Sequence, residues 1–96
     1  MITTQQLQLL KEGNKNAFEA LYRAYNARIY SFVLSMIGDA GVAKDITQDI
    51  FLQIWEKRLN IDLEGNFDGY LFKISQNMVY LSLIHISEPT RRTPIS

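Results

Sequence analysis

The chain contains no cysteine among its 96 residues. Disulfide frameworks, cysteine-ligated zinc and thiol nucleophiles are therefore excluded. Histidine occurs once, as His85, which by itself cannot build a histidine-rich metal site. Proline occurs twice, at Pro89 and Pro94, both near the C-terminal end. A surplus of either charge is missing too: ten basic side chains balance ten acidic ones. A neutral chain does not hold nucleic acid by bulk electrostatics alone, although it can meet nucleic acid beside a partner. No stretch approaches the roughly 18 apolar residues needed to cross a bilayer, so no membrane insertion is expected. The opening Met1-Ile2-Thr3-Thr4-Gln5-Gln6 lacks the basic and apolar regions of a secretory signal, and a cytoplasmic protein is expected. What the chain does have is 47% hydrophobic residues, a globular level. Its length allows one small domain, which buries only about 60–65% of the surface its unfolded form exposes.

The periodicity is helical from the start. Thr3 and Gln6 have capping-box spacing ahead of Leu7, Leu9 and Leu10, and the first helix ends near Gly13. Asn16 and Glu19 repeat the signal, with Asn16 as the expected cap. Phe18, Leu21, Tyr25, Ile29, Phe32 and Met36 then recur at steps of three and four, one helix face that Gly38 closes. Asp39 is the expected cap of a third helix. Val42, Ile46, Ile50 and Ile54 form its buried stripe, flanked by Phe51, Trp55 and Leu59. Its other side, with Asp45, Gln48, Asp49, Leu52 and Glu56, is largely polar. Residues 60–66 read as a polar loop, and a fourth helix starts near Phe67 with Phe67, Leu71, Ile74 and Met78 inward. No strand-like alternation or internal repeat occurs. The expected architecture is an all-α compact bundle of three to four helices.

Residues 81–96 do not match what precedes them. They hold both prolines and the single histidine, and the helical period is expected to fail within them. The string Leu81 to Arg91 resembles one reading frame of a translated sequencing adapter of the transposase-tagging kind. On that basis residues 1–80 are expected to be the protein domain and 81–96 an artefact tail with few native contacts. Leu81, Leu83 and Ile84 can still extend the last helix by chance. Without the tail, eight basic residues face nine acidic ones, a net charge of −1.

Catalysis has little to stand on. Residues 1–80 contain no histidine, so no Ser, His and acid set exists there. Asp45 and Asp49 lie one helical turn apart, but no Glu-x-x-His partner completes a di-metal site. No glycine loop of the phosphate-cradling kind is present. No enzyme activity and no cofactor are expected. Asp45, Gln48, Asp49 and Leu52 share a face that suits a charged partner helix with the leucine as anchor; the same pattern is also that of a solvated helix face. Phe67, Tyr70, Phe72, Lys73, Gln76, Asn77 and Tyr80 place aromatics near amides. Rings stack on unpaired bases and amides read base edges, while simple core packing accounts for Phe67.

Taken in order, these segments resemble region 2 of a bacterial RNA polymerase sigma factor of the extracytoplasmic-function class, across residues 4–80. The strongest segment is Asp45-Ile46-Thr47-Gln48-Asp49-Ile50-Phe51-Leu52-Gln53-Ile54-Trp55, with Ile46 in place of the usual leucine and Asp49 in place of the commoner glutamate. Phe67-Asp68-Gly69-Tyr70-Leu71-Phe72-Lys73-Ile74-Ser75-Gln76-Asn77 resembles the promoter-melting helix. Tyr70 stands there where tryptophan is common, and Ser75-Gln76-Asn77 replaces Ala-Arg-Asn, losing one basic contact. Ala17-Phe18-Glu19-Ala20-Leu21-Tyr22 fits a usual opening of the family.

The resemblance implies that the third helix docks on the clamp helices of the largest subunit of core RNA polymerase. Asp45, Gln48, Asp49 and Leu52 would lie at that interface, with Trp55 in support. It also implies that the 60–66 loop and fourth helix capture the non-template strand of the −10 promoter element through Tyr70, Lys73, Gln76 and Asn77. Tyr70 and Asn77 are the foremost candidates for an unstacked base. An anti-sigma factor is a further partner of the family. Unpairing costs a few kcal/mol per base and stacking returns about 1–3 kcal/mol, so melting is expected to require the polymerase. The family's fourth helix continues with basic residues, and a second helical domain reads the −35 element; neither is written here, so a truncated piece of a sigma factor gene is expected. The rival expectation is a helical interaction module that sequesters a partner without touching DNA.

Overall fold

The structure, a computed structural model, describes residues 2–87. Four helices follow in order: α1 (Thr4–Lys11), α2 (Lys15–Ile37), α3 (Ala40–Glu56) and α4 (Phe67–Ser87), with one 3-10 turn at Arg58–Asn60 between the last two. The all-α bundle is as expected.

Each helix start is written by a local cap. The Thr3 hydroxyl accepts from the Gln6 N–H at 3.1 Å while the Thr3 N–H donates to Gln6 Oε1 at 3.0 Å, a complete capping box. Asp39 Oδ1 accepts from the Val42 N–H at 3.0 Å, as expected for the cap of α3. Asn66 Oδ1 accepts from the Gly69 N–H at 3.1 Å at the start of α4. The α2 cap is Asn14, whose Oδ1 accepts from the Ala17 N–H at 3.0 Å, and not Asn16. The reason lies in Gly13, whose φ of 89° turns the chain within one residue, so that Asn14 is already extended and placed to cap. Gly38, at φ 80°, ends α2 with its N–H on the Leu34 carbonyl at 2.8 Å.

The core gathers Leu7 and Leu10 of α1, a four-step stripe on α2, the inner face of α3, Ile61, and Phe67, Leu71, Ile74 and Val79 of α4. On α2 the buried line is Ala17, Leu21, Tyr25, Ile29 and Val33. Phe18 and Phe32 are half-buried and Met36 is 51% exposed, which departs from the expected face. The aromatic residues serve two flanks instead. Phe18 meets Trp55 at 5.2 Å and Tyr22 meets Phe51 at 4.9 Å on the α3 side. Phe32 meets Phe72 of α4 at 5.0 Å on the other. Ridge packing along i, i+4 lines explains why the strictly four-step residues are the covered ones.

On α3, Ile46, Ile50, Phe51 and Ile54 are buried as expected, while Ala43 takes the place given to Val42, which is half-buried. Leu59 is 72% exposed, because α3 stops at Glu56 and Leu59 falls in the 3-10 turn. The buried hydroxyls of Thr47 and Ser75 are satisfied within their own helices: Thr47 donates to the Ala43 carbonyl at 2.7 Å and Ser75 to the Leu71 carbonyl at 2.9 Å.

Two further differences bear on the site. The 60–66 loop is polar in composition yet anchored, with Ile61 buried and Leu63 packed against the core. And α4 does not end at Tyr80: it runs to Ser87, with Val79 buried and Leu83 packed against the core. The apolar run Leu81, Leu83, Ile84 sustains the helix irrespective of its origin. Residues 88–96 of the tail lie outside the described residues.

Candidate functional site

Two exposed faces carry the residues singled out by sequence. The first is the outer side of α3. Asp45, Gln48, Asp49, Leu52 and Glu56 are all exposed there, and Leu52 is 53% exposed. The spacing of three and four residues sets them in one strip. Trp55 is half-buried beside the strip, held by Phe18 at 5.2 Å and by the Arg58 guanidinium 4.4 Å over its ring. Arg58 also donates through Nη1 to the Trp55 carbonyl at 3.0 Å. Trp55 is therefore braced on both sides and packs against the core. Behind the strip, Ala43, Ile50 and Ile54 are fully buried, so the face sits on a rigid base. Beside it lies a cleft of about 350 Å³ lined by Tyr22, Asn26, Tyr30, Lys44, Thr47 and Gln48 among others.

The second face is the outer side of α4 with the loop before it. Lys73, Gln76 and Asn77 are exposed and Tyr70 is half-buried. Tyr70 sits against Phe67 at 6.2 Å and helps to line a cleft of about 220 Å³ with Asn60, Ile61, Asp62, Gly65, Asn66 and Phe67. The loop is shaped by Asp62: its Oδ1 accepts from the Glu64 N–H at 2.9 Å and its carbonyl from the Gly65 N–H at 3.2 Å. Gln76 and Asn77 do not join the Tyr70 cleft. They border a second one, of about 460 Å³, together with Phe32, Met36, Val79, Tyr80 and Leu83. The four α4 residues thus share one helix side, with Tyr70 bordering one concavity and Gln76 and Asn77 another.

Sequence reasoning placed Phe32 and Met36 in the core of α2, where they instead rim this groove. The available signal was their departure from the four-step line Leu21, Tyr25, Ile29, Val33. Tyr80, 65% exposed, lines the same groove, while Phe72, 45% exposed, lines a different cleft that also borders Phe32.

A strongly held proton lies where α2 meets the start of α4. Tyr25 is buried on α2, and its hydroxyl donates to Asp68 Oδ1 at 2.5 Å. Burial, and next the bond to Asp68, push the phenol from its ordinary value near 10 up to about 12. Among the described residues no group of three or more His, Cys, Asp or Glu side chains is placed to hold a metal ion. No helix among them is long and apolar enough to cross a membrane.

A helical chain of this kind has counterparts among known proteins. The sequence model of the family described as Sigma-70 region 2 matches residues 21–83. The chain belongs to the Sigma-70 region 2 family. Members of this family are transcription-initiation factors and not enzymes. The chain is 26% identical over 78 residues to the ECF RNA polymerase sigma factor SigW of Bacillus subtilis, covering 81% of this chain and 42% of that protein. It is 36% identical over 56 residues to the ECF sigma factor SigK of Mycobacterium sp. strain KMS, covering 58% and 29% respectively. To the RNA polymerase sigma-H factor of Pseudomonas aeruginosa it is 29% identical, over all of this chain and 50% of that one. The chain spans half or less of the length of these three relatives. Among solved structures it superposes on an engineered region 2 of sigmaE, determined by NMR in complex with GTAAAA. The TM-score is 0.84 with 19% identity, over 93% of each chain; at that identity the likeness concerns the fold.

Proposed function

We propose that this chain is the polymerase-binding and promoter-opening part of a cytoplasmic sigma factor. In this reading the outer face of α3 docks on the clamp helices of core RNA polymerase, with Asp45, Gln48, Asp49 and Leu52 in contact and Trp55 bracing them. The 60–66 loop and the outer face of α4 take the −10 non-template strand, with Tyr70 and Asn77 toward an unstacked base and Lys73 and Gln76 beside the backbone and base edges. An anti-sigma factor covering these faces is a further expected partner. The division into a domain over 1–80 and an adapter-derived tail over 81–96 belongs to the same proposal; sequencing the native gene past Tyr80 tests it.

The observation that carries the reading is the presence of two separate exposed faces of different chemistry in one member of this family. One is acidic with an apolar anchor, the other aromatic and amide-rich with a lysine. The engineered sigmaE region 2 of the same fold was solved in complex with GTAAAA, which is in keeping with the second face.

Charge sets the conditions of the test. With a net charge of −1 over residues 1–80, the free chain is expected to bind duplex DNA negligibly, because counterion release supplies most non-specific affinity. Adding core polymerase brings the basic channel and is expected to create selectivity for a −10 strand over a scrambled one. Asn77→Ala lowers that selectivity more than it lowers polymerase binding. Fluorescence anisotropy of a labelled strand at fixed salt, with and without core enzyme, reads all three. Equal affinity for both strands in the presence of core enzyme would leave the interaction module that never touches DNA as the better account.

A further inference from the structure

The Tyr25–Asp68 hydrogen bond joins the middle of α2 to the second residue of α4, across 43 positions of sequence. Among the described residues it is the one side-chain-to-side-chain hydrogen bond between two helices; of the others, Gln8–Glu12 joins α1 to its own C-cap and Arg23–Glu19 lies within α2. The same tyrosine ring meets Phe67, the first residue of α4, at 5.8 Å, and Phe67 in turn meets Tyr70 at 6.2 Å. A single α2 side chain therefore holds the start of α4 twice, directly after the 60–66 loop. An acid in the first turn of a helix is favourable on dipole grounds alone, which would not call for a partner. Here the phenol is buried, so without the carboxylate it would be a donor lacking an acceptor, and the bond it makes is charge-assisted. Asp68 and Tyr70 also line different clefts: Asp68 the one facing α2, with Arg28 and Phe72, and Tyr70 the one formed by the loop.

We propose that the Tyr25–Asp68 bond is a latch that positions the first turn of α4, and with it Tyr70 and the 60–66 loop, for strand capture. Tyr25 and Asp68 are positioning residues and touch neither strand nor polymerase. The role in capture rests on the function proposed above. The latch also keeps the Asp68 carboxylate in the α2-side cleft, apart from the surface offered to a phosphate backbone. The raised phenol pKa is in keeping with a donor committed to a carboxylate.

The test uses the full chain with Tyr25→Phe, Asp68→Ala, Asp68→Asn and the double variant Tyr25→Phe/Asp68→Ala. Hydrogen exchange of residues 66–71 is expected to speed up about 10-fold in Tyr25→Phe and Asp68→Ala, the usual scale of a lost bond to a charged group. Exchange over residues 45–52 stays unchanged. Asp68→Asn keeps an acceptor oxygen and restores most of the protection, and the double variant exchanges no faster than either single one, as coupled partners should. In the complex with core polymerase, Tyr25→Phe lowers selectivity for a −10 strand over a scrambled strand about fivefold at unchanged polymerase affinity, on the same hydrogen-bond scale. Unchanged exchange in Tyr25→Phe overturns the latch, and so does Asp68→Asn being as damaging as Asp68→Ala, which would point to the helix dipole alone. Faster exchange with undiminished selectivity overturns its role in capture. A wild-type complex without −10 selectivity overturns the functional reading and that role together, while the exchange rates still decide whether the latch holds the loop.

Discussion

The outer faces of α3 and α4 are both exposed and both amide-bearing, yet they are held in different ways. The α3 strip rides on a helix whose inner side is fully covered at Ala43, Ile50 and Ile54. Its side chains can change rotamer, but their backbone cannot shift without disturbing the core. The α4 helix is packed as well, with Leu71, Ile74 and Val79 buried, but its first turn follows a loop and depends on a small number of specific contacts. These are the Asn66 cap, the burial of Ile61 and Phe67, and the Tyr25 bond to Asp68. The α3 strip is fixed by packing along its length, whereas the first turn of α4 is set by a few polar and aromatic contacts, a division that fits the proposed docking on a helix pair and the proposed capture of a flexible strand.

The largest expected effect removes the distinction by damaging the common base. Ile50→Ala opens a cavity at a fully buried position of α3 and should cost about 2–5 kcal/mol of stability. A urea titration reads the loss, and binding through both faces should fall together. Asp49→Lys separates them. It is exposed, so stability should hold, while binding to isolated clamp helices weakens by about 1–3 kcal/mol as a like charge meets a basic partner. An unchanged dissociation constant for that pair would remove α3 from the interface.

A cut after Tyr80 probes the far end of α4. The composition of 81–96 suggested few native contacts, but Leu83 packs against the core. Partial loss of one leucine's burial should cost about 1 kcal/mol, seen as a lower denaturation midpoint, with the α3 strip unaffected.

The smallest effect under neutral conditions is that of the Tyr25 proton. Its folded pKa is raised from about 10 to about 12, so the native state keeps a proton that the unfolded chain releases. That stabilisation is whole below pH 10 and is lost as pH rises through 10 towards 12. Melting temperatures measured across this range should fall more steeply for the wild type than for Tyr25→Phe. Parallel curves would mean that the phenol is not held as described.

Much of this molecule was legible before any fold was known. Capping signals act within one turn of chain, so Thr3 with Gln6, Gly38 and Asp39 marked helix ends correctly. The isoleucine stripe of α3 follows from a four-residue period that needs no neighbour to be read. The exposed set Asp45, Gln48, Asp49, Leu52 and the set Lys73, Gln76, Asn77 follow from the same periods, and the two family-like segments from their order. What the sequence left open depended on which helices lie against one another. Asn14 rather than Asn16 caps α2 because Gly13 reverses the chain at once. Phe32 and Met36 rim a groove because α4 covers only part of α2. Tyr25 and Asp68 are 43 residues apart, and nothing local couples them. Local hydrogen bonds and helical periodicity are encoded within a few residues of each position, whereas burial, clefts and the bond across helices arise only when distant faces are brought into contact.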